Sequence, residues 1–102
     1  MSDAPGSGAD AAIGALKRSL AIANKRGLHA RAAAKFVRTA GQFDAAVRVS
    51  FKGQEVSGLS IMGLMMLAAG IGSTIDVACS GRQAVEAMAA LSALVEGKFG
   101  EE

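Results

Sequence analysis

The sequence predicts an α+β fold: an open-faced sandwich, with a four-stranded, mainly antiparallel sheet and three helices on one face (β-α-β-β-α-β-α). Three observations lead to this prediction. Apolar and polar residues alternate in several short segments, as in half-buried strands. Other segments repeat apolar residues every three to four positions, as in amphipathic helices. Each helical pattern has one apolar side, so the helices should cover one face of the sheet and leave the other in water.

The first half of the chain is predicted to contain a tail, a strand and a helix. Residues 1–15 are rich in Gly, Ala, Ser and Asp and hold the only proline, so we expect a disordered tail followed by one domain over 16–102. Alternation over 16–24 predicts the first strand. The helical period over 29–40 predicts the first helix.

A hairpin is predicted next. Alternation over 44–51 indicates the second strand, and Lys52-Gly53 is typical of a tight turn. The turn leads into a short third strand over 54–57.

Three further elements complete the order. Ser60 is suited to the N-cap of an apolar helix over 61–69, and alternation over 73–80 predicts the fourth strand. The last helix is predicted over 82–96. Its buried stripe is predicted to comprise Val85, Met88, Ala89, Leu91, Ser92 and Val95.

Length and composition indicate one cytoplasmic domain. The chain has 102 residues, enough for one modest core. A single cysteine, Cys79, excludes an internal disulfide and suits a reducing compartment, where it should be a core strand residue. No apolar run approaches the roughly 20 residues that span a bilayer, and the N-terminus lacks a signal-peptide pattern. We therefore expect no membrane association.

Positive charge is concentrated around the only histidine, His29. Seven of the eleven basic residues lie between positions 17 and 38, and no acidic residue falls between Asp10 and Asp44. Such a zone predicts a phosphate-bearing or acidic partner. Nucleic acid is disfavoured, because the net charge is only +2 and the chain has no Trp or Tyr for base stacking.

The start of the first helix breaks two local rules. His29 occupies the N-cap region, where Ser, Thr, Asp or Asn is usual. Lys25, Arg26 and Arg31 lie at a helix end that already carries partial positive charge. Local conflicts of this kind often mark functional sites, and an anion bound at this end would resolve the conflict.

The residue types leave few chemical roles for His29. One His and one Cys fifty residues apart cannot form a zinc site, and no G-x-S-x-G motif supports a catalytic triad. A single histidine is commonly a surface or core residue. The remaining chemical role is that of a nucleophile, with helix N–H groups and Arg31 holding a phosphoryl group beside it.

Two motifs resemble a known family. The sequence GLHAR at 27–31, followed by AAAKFV, and SIMGLM at 60–65 resemble the histidine-containing phosphocarrier protein, HPr, of the bacterial phosphotransferase system. The resemblance covers roughly 17–97 and includes the predicted element order. One departure is Ala32, since the family usually has proline after the arginine.

The resemblance implies a phosphocarrier without a cofactor or metal, not an enzyme. His29 would accept a phosphoryl group on Nδ1 from phosphorylated enzyme I, which takes it from phosphoenolpyruvate, and pass it to enzyme IIA domains in sugar transport. Arg31 matches the arginine that neutralises the phosphate. Ser60 matches the family's regulatory serine, the substrate of an HPr serine kinase/phosphorylase where the cell has one.

Two further expectations concern partner docking and oligomeric state, and two alternative functions stay open. The helix over 61–69 is apolar almost all round, so we expect Met62 and Met65 to remain exposed as a partner-docking patch. We expect a monomer. Two alternatives stay open: the nitrogen-related branch of the same system, and an α+β ligand-binding or interaction module that is not phosphorylated and in which His29 is structural.

Overall fold

A computed structural model describes residues 15–101, and its fold is the predicted α+β class. Its elements are β1 (Leu16–Ala21), α1 (Ala30–Ala40), β2 (Ala46–Phe51), β3 (Gln54–Ser57), α2 (Ile61–Met66), β4 (Thr74–Ser80), α3 (Ala84–Glu96) and a 3₁₀ turn at Lys98–Gly100. Their order is the predicted one. All but the last residue of the predicted tail lies outside the described residues, as does Glu102.

The four strands form one antiparallel sheet in the order β1-β4-β2-β3. The register places Leu20 opposite Ile75 and Val49 opposite Val77. All four side chains are buried. Because residues two apart on a strand share a face, this register turns the apolar side of the three longer strands toward the helices.

The opposite face of the sheet is polar and open, as predicted. Lys17 pairs with Ala78, and Ser19 pairs with Asp76. The Ser19 hydroxyl donates a 2.6 Å hydrogen bond to the Asp76 carboxylate. No helix within residues 15–101 covers these positions, most of which are exposed.

Helix α1 turns Ala32, Ala33, Phe36 and Ala40 inward, whereas the buried stripe of α3 differs from the predicted one. Phe36 on α1 is fully buried. On α3, Val85 is 67% exposed and Ala89 is exposed, so their predicted burial is wrong. The residues of α3 that are buried are Ala84, Ala87, Met88, Leu91, Ser92 and Val95. The observed stripe begins at Ala84, whereas the predicted one begins at Val85. Consecutive residues of a helix are rotated by about 100° around its axis, so the two stripes face different directions.

Helix α2 is shorter than predicted. It ends at Met66 with Leu67 as C-cap, instead of near Ala69. Ala68 has a φ of 57°, a left-handed conformation that ends the helix. The chain then runs past the entry of α1, where the Ala69 carbonyl accepts a 3.0 Å hydrogen bond from the Leu28 N–H.

Cys79 lies in the core between sheet and helices, where sequence reasoning placed it. It is fully buried and free. Burial raises the pKa of its thiol, because the thiolate would lose its hydration. Among residues 15–101, no helix has the length and apolar character needed to cross a membrane.

Candidate functional site

The loop that leads into α1 is fixed by one glycine. Gly27 has a φ of 66°, which glycine adopts without strain. A Cβ at this position would lie 2.5 Å from the Ala69 carbonyl oxygen and 2.8 Å from the Gly70 Cα. The loop therefore packs backbone to backbone against the segment after α2, and this contact sets where His29 begins the helix.

His29 is the N-cap residue of α1. Its backbone is extended, with φ −74° and ψ 177°, and its carbonyl accepts the 2.8 Å hydrogen bond from the Ala33 N–H that begins the helix. Its side chain makes no capping hydrogen bond. The backbone N–H groups of Ala30, Arg31 and Ala32 consequently have no intrahelical acceptor, and they give this end of the helix its affinity for anions.

The imidazole of His29 pairs with a carboxylate from the other end of the chain. Its Nε2 lies in hydrogen-bonding contact with Oε2 of Glu101. The second oxygen, Oε1, accepts a 3.0 Å hydrogen bond from the side-chain amide of Asn24. The His29 side chain is 14% exposed and lines an open cleft, so the ring is not enclosed in the core.

A left-handed turn after α3 brings Glu101 to this position. Lys98, Phe99 and Gly100 have φ values of 60°, 56° and 74°. Two consecutive non-glycine residues in this region are costly, on the order of 1–2 kcal/mol each. Burial of the Phe99 ring and a 2.7 Å hydrogen bond from the Lys35 ammonium to the Phe99 carbonyl hold the turn in place.

The protonation of Glu101 determines the tautomer of His29. Hydrogen bonds from His29 and Asn24, together with the positive charge of Arg26, lower the pKa of the Glu101 carboxyl. Glu101 is therefore ionised at neutral pH and can only accept hydrogen bonds. The proton of a neutral ring must then reside on Nε2, which leaves the lone pair on Nδ1.

Positive charge surrounds the pair in a cleft of about 420 Å³. Arg31, on the first turn of α1, lines the cleft with Lys25, Arg26 and Lys98. Within the described part of the chain, four cations and a helix N-terminus thus lie around one carboxylate. The electrostatic balance favours a dianion such as a phosphoryl group.

Ser60 lies apart from this cleft, at the N-cap of α2. Its Oγ accepts a 2.9 Å hydrogen bond from the Gly63 N–H, so it caps the helix as expected from the sequence. The residue is partly exposed.

The apolar residues of α2 are exposed beyond what one core face requires. Met62 is 69% exposed and Met65 40%, as predicted, while Met66, which the sequence analysis did not single out, is 72% exposed. The exposed apolar residues of α2 and of the chain on either side of it are what we call the methionine patch: Leu59, Ile61, Met62, Met65, Met66 and Ile71. Ile71 directly follows Ala69 and Gly70 in the chain, the segment against which Gly27 of the His29 loop packs.

Sequence reasoning missed three residues of the site: Asn24, Lys98 and Glu101. Glu101 is 72 positions from His29 and lies in a short polar C-terminus, and no local pattern links the two. Asn24 was assigned to the end of the first strand. Its neighbours Lys25 and Arg26 are part of the charge conflict that the sequence shows at the start of the first helix.

Comparison with known proteins decides the family. The family model described as "PTS HPr component phosphorylation site" matches residues 16–97. The chain belongs to the HPr family. The phosphocarrier protein HPr of Cupriavidus necator is 52% identical over 86 residues, covering 84% of this chain and 97% of that protein.

Other relatives agree with this assignment. The crystal structure of HPr-C-His from Thermoanaerobacter tengcongensis superposes with a TM-score of 0.82 at 41% identity, covering 85% of this chain and 98% of that one. The phosphocarrier protein NPr of Shewanella violacea is 43% identical over 86 residues, covering 84% of this chain and 94% of that protein. Another HPr from Thermoanaerobacter tengcongensis, with a TM-score of 0.68 at 43% identity over 80% of this chain and 94% of that one, was crystallised as a dimer.

The family assignment confirms that the protein is a phosphocarrier and not an enzyme, with partners in the phosphotransferase system. The alternative of an interaction module with a structural histidine is therefore set aside. Which partners it serves, and through which residues, is a matter for proposal.

Proposed function

We propose that this protein is a cytoplasmic phosphocarrier that accepts a phosphoryl group on Nδ1 of His29 from phosphorylated enzyme I and passes it to enzyme IIA domains. The observation that carries the proposal is the pairing of Nε2 with Glu101 at the N-cap of α1. In the neutral ring this pairing keeps the proton on Nε2 and leaves the lone pair on Nδ1, at the rim of a cationic cleft.

The transfer requires no proton movement at the accepting atom. The Nδ1 lone pair attacks phosphorus, the bond from phosphorus to the donor's nitrogen breaks, and that electron pair returns to the donor. Charge on His29 rises during the step, and the Glu101 carboxylate beside Nε2 stabilises the developing positive ring. Delivery to a IIA domain is the same displacement in reverse.

Stabilisation of the phosphoryl oxygens falls to the first turn of α1. The free N–H groups of Ala30, Arg31 and Ala32 and the Arg31 guanidinium are the donors available at this end. Phosphoryl transfer needs positioning and charge neutralisation more than covalent assistance, so this donor set suits the task. Ala32 has a backbone N–H that the family's usual proline lacks.

Partner docking is assigned to the methionine patch, with Met62 and Met65 at its centre. Exposed methionines adapt to different partner surfaces, which suits a carrier that must dock on a donor and on acceptors in turn. The cations Lys25, Arg26 and Lys98 would steer acidic partner faces toward His29.

Regulation is assigned to Ser60. A phosphate there would add about −1.5 to −2 charges beside the methionine patch and weaken docking on an acidic face of enzyme I. Ser60→Asp should raise the dissociation constant for enzyme I, while Ser60→Asn, a neutral capping residue, should not. Equal affinity of both variants would argue against this regulation.

The nitrogen-related branch is the second candidate, because a phosphocarrier protein NPr is among the relatives at 43% identity. The two branches differ in the IIA domains that accept the phosphoryl group. Mixing phosphorylated protein with purified sugar-specific and nitrogen-specific IIA domains, and comparing initial transfer rates, separates them.

The proposal is tested by incubating the protein with phosphoenolpyruvate and purified enzyme I. We expect one phosphate per chain, stable in base and labile in acid, located on residue 29 by mass spectrometry. Size-exclusion chromatography with light scattering should show a monomer before and after phosphorylation.

A further inference from the structure

Asn24 is a buried polar residue whose two amide hydrogens both have acceptors. It is 1% exposed. Its Nδ2 donates a 2.9 Å hydrogen bond to the Gly27 carbonyl and a 3.0 Å hydrogen bond to Oε1 of Glu101. Asn24 thus joins the loop immediately before His29 to the carboxylate that contacts the His29 ring.

The orientation of this amide follows from its surroundings. Both of its neighbours, a carbonyl and a carboxylate, can only accept hydrogen bonds, so the NH₂ group must face them. The amide oxygen is then buried without a hydrogen-bond partner among residues 15–101.

The two hydrogen bonds fix the geometry of three groups. Among residues 15–101, the Glu101 side chain has hydrogen bonds to Asn24 and His29 alone, so without the bond from Asn24 it could rotate into the solvent, to which it is partly exposed. With the bond, the carboxylate stays against Nε2. Arg26 and Lys98, which line the same cleft, could otherwise draw the carboxylate away from the ring.

We propose that Asn24 is a positioning residue: it holds Glu101 against Nε2 of His29, so that the ring keeps its proton on Nε2 and presents the Nδ1 lone pair to the phosphoryl donor. The inference rests on the proposed function for its consequence, but the tautomer itself can be measured without any transfer. In metal sites, replacing the outer-shell partner that orients a ligating histidine typically costs 10- to 100-fold in affinity or activity, and we expect an effect near the lower end of that range for this unmetallated histidine.

The test uses Asn24→Leu, a replacement of similar shape without donors, and Asn24→Asp, which sets a carboxylate against Glu101. Long-range ¹H–¹⁵N spectra of the full-length protein at pH 8 report which ring nitrogen carries the proton. We expect the wild type to show the Nε2–H form alone and both variants to show a mixture. Glu101→Ala should give the same mixture, whereas Glu96→Ala, at an exposed carboxylate on α3, should leave the spectrum unchanged.

Transfer kinetics then separate a positioning role from a merely structural one. Asn24→Leu should slow phosphoryl acceptance from enzyme I by about tenfold in the presence of Glu101 and by less than about twofold in the Glu101→Ala background. If the rate reductions of Asn24→Leu and Glu101→Ala multiply in the double variant, the two residues act independently and the proposal is overturned. An unchanged His29 tautomer in folded Asn24→Leu and Asn24→Asp would also overturn it. If the wild type takes up no phosphate while the tautomer responds as expected, the proposed function fails and the positioning role stands.

Discussion

Gly27→Ala tests how the fold places His29. The new Cβ would lie 2.5 Å from the Ala69 carbonyl oxygen, whereas real Cβ contacts are essentially never below 3.0 Å, so the two backbones must separate by about half an ångström. The left-handed φ of 66° costs a further 1–2 kcal/mol, roughly, and overpacking about 1–3 kcal/mol. The free energy of unfolding should therefore fall by about 2–5 kcal/mol.

Gly53→Ala is the matched control. Gly53 also has a positive φ, 81°, but no atom lies within 4 Å of its Cβ position. Only the conformational cost applies there, about 1–2 kcal/mol. Urea unfolding followed by circular dichroism measures both losses at equilibrium.

The same two variants distinguish an effect on the position of His29 from an effect on the stability of the fold. Gly27→Ala should also slow phosphorylation of His29 under conditions where the variant is folded, since the loop carries His29, while Gly53→Ala should leave the rate unchanged. Equal stability losses in the two variants, or an unaffected rate in Gly27→Ala, would refute the claim that this contact positions the histidine.

Three further predictions concern the other parts of the site. Arg31→Ala should slow phosphoryl transfer about 10- to 100-fold, the value of one hydrogen bond to a charged group, with the urea midpoint unchanged; an unaltered rate would remove Arg31 from the site. Phe99→Ala should lower the free energy of unfolding by about 3–5 kcal/mol, measured by urea denaturation, because the ring is fully buried. A decrease in the free energy of unfolding of only about 0.5 kcal/mol, as for a surface substitution, would show that Phe99 does not stabilise the turn at Lys98–Gly100. The pKa of Glu101 is lowered in the folded state, so its contribution to stability is present above its ordinary value of about 4.3 and is lost as the pH falls through the lowered value. The difference in stability between wild type and Glu101→Ala should accordingly close in acid, and a difference that persists at the lowest pH would contradict this origin.

Most of the fold could be predicted from periodicity. The strands can be recognised because one face of the sheet is buried and the other is open, so apolar and polar residues alternate along each strand. In β4, for example, Ile75 and Val77 are buried and Asp76 between them is exposed. The prediction of the buried stripe was wrong on α3, where several alanines make the apolar side of the helix hard to identify from sequence. On α3, Ala84 and Ala87 are buried and Val85 is exposed, and hydrophobicity alone ranks Val85 above both.

Only half of the site could be predicted from sequence. His29 and Arg31 are close together in the chain and conflict with local helix rules, so a local analysis finds them. Glu101 contacts Asn24 and His29 over a long sequence distance, and these contacts depend on the left-handed turn at Lys98–Gly100. Nothing in the local sequence marks two non-glycine residues as left-handed. The predicted α2 is too long for a related reason: Ala68 is a strong helix former, and no local pattern signals its left-handed conformation.

The most direct test of the account is to locate the phosphate after incubation with phosphoenolpyruvate and enzyme I. The account predicts an acid-labile phosphate on Nδ1 of His29, identified by ³¹P and ¹⁵N spectra, and no incorporation into His29→Ala. Phosphate found on Nε2, or undiminished incorporation into His29→Ala, would contradict it.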